Sequence, residues 1–133
     1  MKLEFLDDIS NGGKFAGVVT DQLVRLYNFD KLQAGKLRQT IQREIIEKNV
    51  TLNLSKLEFI ETINCSLILR LANIEIGITT CDKINYCCEL TKGGYQNMVD
   101  LLEPFCIQNR SGYQWLYDID TPIGFLFSPN GDW

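Results

Sequence analysis

The sequence predicts one α+β domain spanning residues 1–133, with an antiparallel sheet of about five strands and two to three helices packed on one of its faces. Three observations lead there. Apolar residues recur at helical spacing from Asp30 to Lys48 and from Thr91 to Phe105, and they alternate singly through residues 63–71, 84–90 and 113–127. Helices, then a run of strands, then a helix and a hairpin is the order of an α+β chain and not the regular alternation of a parallel-sheet protein. A chain of 133 residues, 45% hydrophobic and 23% charged, has the length and composition of one core.

Residues 1–6 suit a short first strand, and Ser10-Asn11-Gly12-Gly13 reads as a loop. Thr20 or Asp21 can cap a short helix with Leu23, Leu26 and Tyr27 inside, since a capping oxygen satisfies amides that the first turn leaves free. Asp30 is a second cap, with Gln33 in the capping-box position. Its helix carries Ala34, Leu37, Ile41 and Ile45 inward and should end near Lys48. Leu52 and Leu54 then alternate with polar residues, while Leu57 and Phe59 follow the other parity, which places a break near Ser55-Lys56. Two longer strands carry Ile63, Cys65, Leu67, Leu69 and Leu71, then Ile84, Tyr86, Cys88 and Leu90, on their inner faces. Thr91 should cap a helix through Tyr95, Met98, Val99, Leu102 and Phe105 that Pro104 ends. Tyr113, Trp115, Tyr117 and Ile119 share one face of a strand, and a turn at Thr121-Pro122 leads to Ile123, Phe125 and Phe127.

The chemistry is bounded by an absence, because the chain has no histidine. Ser-His-Asp and Cys-His triads and histidine zinc sites are therefore excluded from this chain alone. The five cysteines, Cys65, Cys81, Cys87, Cys88 and Cys106, have no Cys-x-x-Cys spacing, so free thiols are expected and not a metal centre. No motif implies a cofactor. Lys92-Gly93-Gly94 opens a helix, where outward amides and the macrodipole favour an anion, although glycines also serve as plain helix starts. Asp118 and Asp120, two apart on a strand, share an outer face with Leu116 and would sit near the indole of Trp133. They suit either a contact surface or an ordinary solvated strand edge.

Charge is uneven. Residues 14–48 hold seven basic and four acidic side chains, a local +3, while the rest of the chain sums to −7 and the whole to −4. Two opposite partner classes follow. An anion could contact Lys36, Arg38, Arg43 and Lys92, though solvation of a core helix explains the same cations and argues against nucleic acid. A cationic protein could meet the acidic remainder at Leu116, Asp118, Asp120 and Trp133. Two acids directly after a very short apolar run do not make a signal peptide, and no apolar stretch reaches membrane-spanning length, so a cytoplasmic setting is expected.

Four stretches, Leu26-Tyr27-Asn28-Phe29-Asp30, Tyr95 through Glu103-Pro104-Phe105-Cys106, Tyr113-Gln114-Trp115-Leu116, and Phe125 through Trp133, together resemble a class of small bacterial cytosolic proteins. The resemblance spans most of the chain and implies no activity. The function expected is a non-enzymatic protein-binding module of immunity or inhibitor type, set against a basic toxin or nuclease. The alternatives are a regulatory module binding nucleic acid or another anion through residues 31–48, and a small carboxylate-dependent enzyme.

Overall fold

The computed structural model describes residues 1–7 and 22–133. The expected loop at residues 10–13 and the caps Thr20 and Asp21 lie outside the described residues. Strands β1 (Lys2–Asp7) and β2 (Gln22–Tyr27) are followed by helix α1 (Lys31–Ile41), which widens into a π-helical stretch over Gln42–Glu47. Short β3 (Leu52–Asn53) and β4 (Glu61–Thr62) precede β5 (Ser66–Leu71), β6 (Gly77–Thr80) and β7 (Asn85–Leu90). Helix α2 (Lys92–Ile107), β8 (Gln114–Trp115) and β9 (Ile123–Ser128) complete the order.

The fold is α+β, but it contains two mixed sheets where one antiparallel sheet was expected. One has the order β4-β1-β2-β9-β8 and the other β3-β5-β7-β6, with β1–β4, β2–β9 and β5–β7 parallel. Alternation sets which residues of a strand face inward, and it carries no information about which strand lies alongside. The inner faces of both sheets and both helices enclose one continuous core that includes Leu3, Leu26, Leu37, Leu69, Cys88, Val99 and Phe125.

Residues 22–27 form a strand, and the helix expected there is corrected. Leu23 and Leu26 point to opposite sheet faces yet both are fully buried, Leu26 in the main core and Leu23 in a second cluster with Leu126. Burial on both faces produces the i, i+3 spacing that reads as a helix. From this strand, Arg25 donates from Nε and Nη2 to Glu4 Oε1 at 3.0 and 2.6 Å and from Nη1 to the Gly131 carbonyl at 2.8 Å. Gly131 has φ +81°, and a Cβ there would stand 2.8 Å from Arg25 Nη1, so glycine is favoured where residues 129–133 return over the sheet.

Helix α1 begins as its capping box predicts, with Asp30 accepting from Gln33 N and Gln33 answering at Asp30 N. Ala34, Leu37, Ile41 and Ile45 are all buried. The wider turn, marked by Lys48 N–H reaching the Arg43 carbonyl at 3.1 Å, lets Ile46 pack against the core beside Ile45. The break near Ser55 is a 3-10 turn at Leu54–Lys56, where Asn53 Oδ1 accepts from Ser55 N. Ile63 and Ile84 are exposed where inward positions were expected, because β5 and β7 start only at Ser66 and Asn85. Asn64 instead clamps β1, its amide bonding both Phe5 N and Phe5 O at 2.8 Å.

Pro104 does not end α2, which continues to Ile107. Its ring is exposed near the C-terminal end, where one missing amide costs a single bond and the last turn still closes. The strand expected over 113–119 is reduced to Gln114–Trp115, after which the chain leaves the sheet and crosses β6.

Candidate functional site

The segment 117–121 is held by both sheets. Tyr117 Oη accepts the Ile78 N–H of β6 at 3.1 Å and donates to the Ile123 carbonyl of β9. Burial pushes the hydroxyl well above the ordinary phenol range, so it remains a donor at any physiological pH. Gly77, at φ +86°, lets the segment approach: a Cβ there would stand 3.0 Å from Ile119 Cδ1 and 3.2 Å from Thr121 Cγ2. With Tyr117 and Ile119 packed against the core, Asp118 and Asp120 point outward and are exposed. Among the described residues no lysine or arginine lies within ion-pair distance of either.

The expected companions of these acids are placed elsewhere. Leu116 is fully buried in the main core, because Leu116 N bonds the Phe125 carbonyl at 2.8 Å and the side chain shares the inner face with Phe125. It is corrected from an exposed contact residue to a core residue. Trp133 is docked on the opposite face of the sheet, against the cluster of Leu23 and Leu126 with Leu6 and Trp115, and its indole N–H is buried without an acceptor. The structure therefore brings Asp118 and Asp120 together and joins neither Leu116 nor Trp133 to them as one patch. A strand with apolar side chains on both parities, Trp115 beside Leu116, was the available signal that both faces are covered.

The cations proposed for an anion are drawn into internal contacts. Arg38 Nε donates to the Val99 carbonyl of α2 at 3.1 Å and Nη2 lies 3.9 Å from Glu103. Arg43 Nε and Lys48 Nζ share Glu44 Oε1 at 3.1 and 3.7 Å, and the Arg43 hydrogen bond holds that carboxyl below the usual range. Lys36 Nζ stands 5.9 Å over the Phe59 ring.

Lys92 opens α2 beside a carboxylate that belongs to the chain itself. Thr91 accepts from Gly94 N at 3.1 Å as the N-cap, and Glu75 Oε1 accepts the Thr91 N–H at 2.8 Å. Glu75 thus plays the part of the glutamate that a capping box carries at its third helical position, which here is Gly94. The substitution is reciprocal, since a Cβ on Gly94 would come within 2.2 Å of Glu75 Oε2. Glu75 carries no local signal, and Tyr117 reads only as an inward strand residue, because both act on residues far away along the chain.

The cysteines are free, with Cys65 and Cys88 buried, Cys87 and Cys106 intermediate and Cys81 exposed. Desolvation pushes Cys65 up to about 11 and Cys88 higher still, and it raises Cys87 and Cys106 as well. A thiol reagent at neutral pH is expected to modify Cys81 first, Cys87 and Cys106 later, and Cys65 and Cys88 only as the protein opens. Peptide mapping of a labelling time course checks this order, and early labelling of Cys65 would contradict its burial. Among the described residues no group of three or more Cys, Asp or Glu is arranged to hold a metal.

Asp82 is the most strongly shifted carboxylate, held at about 2 by hydrogen bonds from Asn85 N, the Asn85 side chain and Ile84 N. A carboxyl depressed in the folded state contributes stability above its unfolded value of 3.8 and loses it as pH falls toward about 2. Asp82→Asn should accordingly flatten acid unfolding in that window, as read by circular dichroism. An unchanged acid profile would show that the turn opens before Asp82 is protonated.

The sequence matches no protein-family model and no curated protein. Among the described residues no helix is long and apolar enough to cross a membrane.

Proposed function

We propose that the chain is a non-enzymatic protein-binding module of the inhibitor or immunity type, which presents Asp118 and Asp120 to a basic partner such as a toxin or nuclease. The observation that carries this reading is the mounting of the two acids. They are exposed and free of ion pairs among the described residues, on a segment tied to β6 and β9 through Tyr117. Charges placed in advance lose little freedom on association, and a surface of one sign speeds the encounter with its opposite. A cytoplasmic setting belongs to the same proposal, supported by five cysteines that remain unpaired.

The double variant Asp118→Lys with Asp120→Lys tests it. Solvated charges contribute little to stability, so folding should be nearly unchanged, while capture of a basic partner from the source organism should be lost. Equal recovery of the same partner by both proteins would reject the acidic segment as the binding surface. Recovery of none, with a small molecule found in a ligand screen, would favour the carboxylate-enzyme alternative.

A further inference from the structure

Among the described residues the two most exposed large hydrophobic side chains are Leu32 and Ile107, at 69 and 70%. They belong to different helices, and the fold brings them to the same end of the helix pair. Asn109, two residues past Ile107, accepts the Lys31 N–H at 2.8 Å where α1 begins and α2 ends. Scattered exposed aliphatics are ordinary on a protein surface, but here the two most exposed ones sit on helix ends that this hydrogen bond ties together. The rim of that end is cationic. Lys31 is exposed, and the exposed Arg110 is held with its guanidinium 5.1 Å above the Phe105 ring. Among the described residues no carboxylate lies within ion-pair distance of Lys31 or Arg110. The nearby Asp30 is engaged as the α1 cap.

We propose that this end of the helix pair is a second docking surface, separate from the acidic segment, for an acidic protein segment that presents an apolar side chain. Leu32 and Ile107 supply the apolar seat, and Lys31 and Arg110 the complementary charge. The sign is the informative part, because Lys31 and Arg110 carry no ion pair among the described residues and so remain available to carboxylates of a partner. Carboxylates at the rim would set register and encounter rate, and removal of the two aliphatics from water would supply the retention.

A synthetic amphipathic peptide with leucine at helical spacing and glutamate elsewhere serves as the probe, titrated into the isotopically labelled full chain and followed by amide chemical shifts. Shifts should centre on residues 31–32 and 107–110. Leu32→Glu with Ile107→Glu, two solvent-exposed changes that leave the core intact, should weaken binding by at least about tenfold, and Arg110→Glu should weaken it and reduce its salt dependence. A peptide with serine in place of leucine separates apolar docking from simple charge. The proposal is overturned if that peptide binds equally well, if the shifts centre elsewhere, or if no binding occurs. Sedimentation of the chain alone gives the remaining outcome, since self-association abolished by Leu32→Glu would make a second copy the occupant and overturn the acidic-segment reading.

Discussion

Phe127→Ala is expected to lower the stability of the protein by about 3–5 kcal/mol, the cost of removing a large ring from a packed core that collapses only partly around the void. Phe127 is fully buried at the end of β9, stacked on Phe29 at 4.1 Å between ring centroids and met edge-on by Phe105 of α2 at 5.1 Å. One side chain therefore joins the parallel β2–β9 pair, the entry to α1 and the last turns of α2. Urea unfolding followed by far-ultraviolet circular dichroism measures the effect. A loss under about 1 kcal/mol would mean that the three rings are not packed as one cluster.

Tyr117→Phe is expected to cost about 1–3 kcal/mol while leaving the ring in place, because it strands the Ile78 N–H and takes a donor from the Ile123 carbonyl at a half-buried site. The Ile78 amide should exchange with solvent markedly faster than in the parent protein. Its neighbours in β6 that remain bonded to β7 should change less. If stability falls and Ile78 exchange does not rise, the loss comes from ring packing and not from the hydroxyl bridge. Under the proposed function the same change should also weaken capture of a basic partner, since it loosens the mount of Asp118 and Asp120.

Local chemistry was legible in the sequence wherever neighbours along the chain decide the outcome. The pair Asp30 and Gln33 located the start of α1, and Thr91 the start of α2, since caps act across three residues. Strand parity placed Cys65, Leu67 and Leu69 inward on one strand and Tyr86, Cys88 and Leu90 on the other, and all six are buried. Free thiols followed from irregular cysteine spacing.

Tertiary structure decided what depends on partners far apart in the chain. Leu23 with Leu26, and Trp115 with Leu116, mislead a reading that allows each strand only one covered face, because both faces of the five-stranded sheet are covered at these points. The parallel pairing of β5 with β7 and of β2 with β9 leaves no trace in periodicity, which records the orientation of a side chain and not the identity of the neighbouring strand. Glu75 completing the cap of α2, Tyr117 bridging two sheets, and Lys31 meeting Asn109 past the end of α2 all arise the same way. The sequence by itself determined the α+β class, the caps and the inner faces of the two central strands, since backbone preference and solvent exposure act over a few residues. Only the folded chain determined the two sheets, the burial of Leu116, the docking of Trp133 and the tie of the segment bearing Asp118 and Asp120 to β6 and β9, since those rest on long-range packing and hydrogen bonds.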